Sequence, residues 1–150
     1  MKKIFTLILS IALLTACNKG NKVLPAKSPF GKWNGDYGVY ATYDSKGIRQ
    51  TSDTTFFNNN YVCNFNADKS GSILVGISPI YKFNYSVSGT QINYTNYFSV
   101  DGNGNNLNQE SNFSETIATI TATKLTLVRE ALIANTGGKS VSTAFFTRLN

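Results

Sequence analysis

The chain has 150 residues, with 14 Lys and Arg against 8 Asp and Glu, no His at all, and a formal charge of +6. The missing His excludes His-based triads, an imidazole general base and His-ligated zinc. With only 15% charged residues and no Arg cluster, the mild positive charge leaves no nucleic-acid footprint.

From the N-terminus, Lys2 and Lys3 precede an apolar run from Ile4 to Leu14, followed by Leu14-Thr15-Ala16-Cys17. The run is shorter than the roughly 20 residues of a membrane span, and the small residues before Cys17 mark a cleavage site, so residues 1–16 read as an export signal. Leu14 to Cys17 resembles the lipobox of bacterial lipoproteins, and that resemblance implies that Cys17 is acylated and becomes the new N-terminus. Two or three acyl chains, at about 0.8 kcal/mol per buried methylene, hold a small domain on a membrane without any transmembrane helix. The resemblance also sets an address: Asn18 follows the Cys where an Asp would suggest inner-membrane retention, which implies the outer membrane, facing the periplasm or the cell surface. Loss of Lys2 and Lys3 leaves 12 basic and 8 acidic side chains, a formal +4.

Residues 17–29, basic and broken by Pro25 and Pro29, read as a flexible tether, and residues 30–150 as one domain with a single core. With Cys17 committed to lipid, Cys63 is the remaining thiol, so the domain has no disulfide and Cys63 reads as a small buried hydrophobe.

Alternating segments then arrive at close spacing, as in an all-β barrel or sandwich. The pattern predicts strands at Trp33–Tyr43, Thr51–Phe57, Tyr61–Asn66, Gly71–Ile77, Ile80–Val87, Thr90–Val100, Phe113–Thr121, Leu125–Ile133 and Val141–Leu149. Turn chemistry separates them, for example Asp44-Ser45-Lys46-Gly47, Ser88-Gly89 and Asp101-Gly102-Asn103-Gly104. Few charges and prolines are available to protect open sheet edges, so closure is the simpler solution. The expected fold is all-β, an antiparallel up-and-down barrel of about eight to nine strands, enclosing either packed side chains or one small ligand.

Gly31-Lys32-Trp33 heads the first strand, and Phe145-Phe146-Thr147-Arg148-Leu149 puts an Arg in the last. This pair, with the hairpin spacing between, resembles the G-x-W motif and last-strand Arg of lipocalins and their calycin relatives, and of bacterial lipocalin-like lipoproteins, over residues 30 to 150. The resemblance implies that Trp33 packs at the closed end of the barrel beneath Arg148. An indole seeking a partner for its N–H, and a guanidinium on its face, would be structural in any barrel.

No catalytic signature emerges, and the chain is read as a non-enzyme without cofactor or metal. Asp44, Asp68 and Asp101 fall in turns, while Asp36, Glu115 and Glu130 stand isolated. Asp101, Asn103 and Asn105 alternate like oxygen ligands of a calcium loop, but the sixth position is Asn106 where Gly is wanted, and the twelfth is Asn112 where Glu is wanted. The interior is the remaining candidate. The register points Tyr37, Val39, Tyr43, Tyr61, Phe65, Phe83, Tyr85, Tyr94, Phe98, Leu125, Leu127, Val141 and Phe145 inward. As a ligand site this lining (Tyr37, Tyr43, Tyr61, Phe65, Phe83, Tyr85, Tyr94 and Phe98) suits a small hydrophobic or amphipathic molecule whose head group meets Tyr hydroxyls. The same rings could instead fill the barrel, leaving loops such as Asn58 to Asn60 and Asp101 to Asn108 to bind an envelope protein. Interior volume discriminates between the two.

Overall fold

The computed structural model describes residues 28–109 and 112–150; the expected signal, Cys17 and the tether up to residue 27 lie outside the described residues. Ten strands follow in order: β1 (Gly31–Tyr43), β2 (Arg49–Phe56), β3 (Tyr61–Phe65), β4 (Ser70–Val75), β5 (Ser78–Ser88), β6 (Gln91–Val100), β7 (Asn106–Gln109), β8 (Phe113–Ile120), β9 (Lys124–Leu132) and β10 (Lys139–Arg148). Every pairing is antiparallel, and β10 returns to β1, closing an eight-stranded up-and-down barrel through β1, β3, β4, β5, β6, β8, β9 and β10.

The two extra strands arise because two staves of the barrel are broken. β2 and β3 both run antiparallel to β1 on the same side, β2 against Tyr37–Tyr43 and β3 against Gly31–Asn34. Likewise β7 and β8 share one side of β6, β7 beside Phe98–Val100 and β8 beside Gln91–Tyr94. Among the described residues neither β2 nor β7 has a second strand neighbour, so closure removes the edges only in the lower half. Above it, β9, β10, β1 and β2 continue as a four-stranded flap. The strand β7 falls inside the Asp101–Asn108 stretch read as loop, where Asn-rich chemistry hid a short pairing segment.

The closed end is built on Trp33 and Arg148, which face each other across β1 and β10. The indole is fully buried, its Nε1–H donates to the Pro29 carbonyl at 2.6 Å, and the Arg148 guanidinium lies 4.3 Å above its ring. Gly31, at φ 122°, keeps a side chain out of the path of that guanidinium. Above them Phe65, Phe83, Tyr85, Ile92, Tyr94, Ile117, Leu125, Leu127 and Phe146 pack into one core. The rings meet edge to face, Phe65 on Tyr85 at 5.0 Å and Phe83 on Tyr94 at 5.1 Å, as the aromatic quadrupole favours.

Two of the register breaks turn expected lining residues outward. In β1 the register to β10 slips between Gly35 and Tyr37, leaving Asp36 as the extra residue. Its carboxylate accepts the Thr147 hydroxyl at 2.8 Å and Lys124 Nζ at 3.4 Å, and its carbonyl accepts the Phe57 N–H at 3.2 Å. Below the bulge Trp33 and Gly35 face in; above it the phase is inverted. Phe146 is in the core and Phe145 alternates outward, stacked on Tyr37 at 4.4 Å, with Phe56 beyond at 6.0 Å. Tyr37, Val39, Tyr43, Val141 and Phe145 therefore lie on the outside of the flap, contrary to the inward register expected for them. They share that face with Val128 and Leu132, while its inner face carries Gly38, Tyr40, Thr42, Ser140 and Ser142.

In β6 the second bulge sits at Asn96, which takes φ 50° as Asn can. Lys82 pairs Phe98 and Asn84 pairs Thr95, so Asn96 and Tyr97 together oppose Phe83. Tyr97 enters the core, and Phe98, expected inside, moves to the outer groove with Lys82 and Asn84.

Candidate functional site

Among the described residues the core leaves an interior chamber of about 120 Å³, midway up the barrel where the broken staves begin. Its walls are Tyr61, Cys63, Ile73, Phe83, Tyr94, Tyr97, Phe113, Glu115, Leu127, Arg129, Ala144 and Phe146. The break between β2 and β3 shapes its upper end. Asn58 and Asn59, at φ 49° and 59°, turn the chain so that Phe57 swings over Gly35, where a Cβ would collide with its ring, and against Gly38, where one would fit only tightly. Phe57 then stacks on Tyr61 at 4.6 Å.

One wall is polar. Glu115 pairs Ile92 across β6 and β8, so its side chain points inward between Phe113 and Ile117. The Tyr94 hydroxyl donates to its Oε2 at 2.8 Å, and Arg129 stands over the Phe113 ring at 4.0 Å nearby. Burial holds the Glu115 carboxyl above the usual carboxylate range, opposed by the Tyr94 hydrogen bond and the Arg129 charge. Burial likewise pushes the Tyr61, Tyr94 and Cys63 acids up, with the Glu115 charge adding to each. These groups hold their protons across the neutral range, so Cys63 is a buried thiol and not a ready nucleophile.

Of the residues expected to line a ligand site, Tyr61, Phe83 and Tyr94 border this chamber. Phe65 and Tyr85 are packed in the lower core, the Tyr85 hydroxyl donating to the Asn66 carbonyl at 2.7 Å. Tyr37, Tyr43 and Phe98 are outside. Glu115, which the sequence presents as an isolated carboxylate, and Arg129, which it gives no role, form the polar part of the chamber. The signal available was Phe113, Glu115 and Ile117 at alternate positions, a carboxylate interrupting an apolar face.

The turn carboxylates are occupied locally. Asp44 accepts the N–H groups of Lys46 and Ile48, both at 2.9 Å, and Asp101 those of Asn103 at 2.9 Å and Asn105 at 2.8 Å, so the calcium-like spacing serves a hairpin loop.

The outside of the barrel carries the other candidate surface. On the flap, Phe56 is 68% and Leu132 86% exposed, and between them Tyr37, Phe145, Val39, Val141 and Val128 share the face with Thr54, Thr143 and the Glu130–Lys139 ion pair.

Among known families, the N-terminus matches one model. Residues 1–18 fit the prokaryotic membrane lipoprotein lipid attachment site. The chain is a lipid-anchored barrel protein of the cell envelope. The attachment site ends one residue past Cys17, as the export reading of the N-terminus expects. No curated protein and no solved structure matches the chain.

Proposed function

We propose that this lipoprotein is a non-catalytic interaction module of the cell envelope, in which the barrel is scaffold and the outer face of the flap binds a protein partner. The observation that carries this reading is the outer face of the flap, where the inverted phase above Asp36 puts Tyr37 and Val39 of β1 beside Phe56 of β2 and Val141 and Phe145 of β10. Beside that face runs the free edge of β2, eight residues exposed along their whole length. An unpaired edge offers main-chain hydrogen bonds to an extended partner segment, and the adjoining apolar face offers it side-chain packing. Interior volume argues the same way: about 120 Å³ is well below the roughly 300 to 1,000 Å³ of small-molecule pockets, and the lower barrel is filled. The Trp33 and Arg148 contact supports a lipocalin-like lineage, and Asn18 after the lipidated Cys supports the outer membrane.

The test is a photo-crosslinking residue placed in the full-length lipoprotein at Phe56, or at Thr95 on the opposite wall, in its own host. Discrete adducts at position 56 that are absent at 95 are expected. Absence of adducts at 56, or equal adducts at both, would overturn the assignment.

One observation favours a second reading. The half-buried Glu115, bonded to Tyr94 and facing an open volume, suits a very small ligand with a hydrogen-bonding head group, of the size of about four waters at about 30 Å³ each. A co-purifying small molecule that raises the melting temperature, and ceases to do so in Glu115→Ala, would establish it.

A further inference from the structure

A second apolar surface runs along the outer flank of β1, β3 and β4, from Lys32 and Leu149 near the closed end up to Ile77 in the turn between β4 and β5. There a shallow groove of about 360 Å³ is lined by Val62, Leu74, Ile77 and Leu149, with Lys32, Asn64 and Ser72 at its lower end. Ile77 is 95% exposed, and the Leu149 N–H donates to the Lys32 carbonyl at 2.9 Å, fixing the C-terminal residues beside the first strand. Phe30, half exposed, immediately precedes this strand.

We propose that this flank rests on the lipid surface in which Cys17 is anchored, an anionic one, with the apolar side chains at the head-group boundary and Lys32 among the head groups. What covers the groove is argued from the chain that leads to it. Eleven residue steps separate Cys17 from Ser28, a reach of at most about 40 Å at about 3.6 Å per residue, so the flank next to the tether is held permanently close to the bilayer. Even a weak contact is then populated, because docking is intramolecular. Charge agrees: Lys19, Lys22, Lys27 and Lys32 all fall in this stretch, and Asp36 is the first acidic residue after the lipidated Cys. A basic approach with an apolar patch at its end is complementary to anionic lipid. The surface is distinct from the flap face, from which Asn34, Asp36, Asn59 and Thr147 separate it.

The test uses the full lipidated protein in vesicles of phosphatidylethanolamine and phosphatidylglycerol, with no other protein present. A nitroxide is attached at Ile77→Cys or, as the control on the flap, at Leu132→Cys; both side chains are exposed, so neither change disturbs the core, and the native Cys63 is buried. Collision with oxygen should exceed collision with a water-soluble nickel chelate at position 77, and the order should invert at position 132. Introducing Lys32→Glu with Leu149→Glu should return the label at 77 to water while the melting temperature holds. A water-like signal at 77, a lipid-like signal at both positions, or a label at 77 indifferent to the double substitution would each overturn the proposal.

Discussion

Removing Trp33 is the sharpest perturbation of the closed end. The indole is wholly buried, its N–H is spent on the Pro29 carbonyl, and it is the platform for Arg148. Trp33→Ala loses the transfer free energy of the ring and leaves a cavity, about 3 to 5 kcal/mol for an aromatic truncated in a core. A domain of this size loses about 3 to 5 °C of melting temperature per kcal/mol, so a fall of about 10 to 20 °C is expected. Arg148→Ala should cost less. It forfeits a cation–π contact of about 0.5 to 2 kcal/mol, but it also removes a buried Nε with no hydrogen-bond partner, whose desolvation opposes folding. Arg148→Met keeps the stem over the indole without the orphaned nitrogen and should fall within about 1 kcal/mol of the native protein. Urea melts of the four proteins and of the double mutant give the coupling between the two side chains. Unchanged melting in both alanine variants would refute closure by this pair, and an Arg148→Ala effect larger than that of Trp33→Ala would refute the assignment of the burden to the indole.

Other expectations follow from single sites. Glu115 has a folded pKa raised by burial, so the folded protein holds its proton when the unfolded chain has already released it; stability from this group is therefore lost as pH rises beyond the ordinary carboxylate range. Glu115→Gln should flatten that decline in urea midpoint, and since Asp68 and Asp101, whose shifts have the opposite sign, are common to both proteins, parallel profiles would sink the inference. Gly71→Ala drives a methyl into the edge of the Phe83 ring and toward the Asn64 carbonyl, costing about 1 to 3 kcal/mol, whereas Gly102→Ala meets nothing and should stay within about 0.5 kcal/mol by the same melts. Cys17→Ser should leave the protein without acyl mass and move it from the membrane fraction to the soluble one, which fractionation and intact mass measure directly.

The alternation that reads well in the sequence is that of unbroken strands. From Tyr61 to Phe65 and from Tyr81 to Tyr85 the period of two holds, and Cys63, Phe65, Phe83 and Tyr85 lie where it puts them, in the core. Where the reading failed, one residue was responsible. Gly-Asp-Tyr at 35 to 37 looks like continuous strand, yet Asp36 is held outward by Thr147 and Lys124, partners more than 80 positions away. Asn96 carries a weaker local hint, since Asn tolerates positive φ, but nothing nearby distinguishes it from Asn93. Such errors invert every residue beyond them, which is why Tyr37, Tyr43 and Phe98 were read as lining and are not. Glu115 and Arg129 were missed for a different reason: a charged residue within a strand is ordinarily read as solvent-facing, and only the chamber gives it a reason to turn in.

Asp36 also sets which face β1 turns outward above the closed part of the barrel. A one-residue deletion there would restore the two-residue period along β1, bringing Tyr37, Val39 and Tyr43 to the inner side and turning Gly38 and Tyr40 outward. The same strand would then carry its apolar side chains on the inner face of the flap and lose its sticky exterior. Related chains that differ by one residue at this point would thus turn opposite faces of β1 outward, with no change in strand number or order.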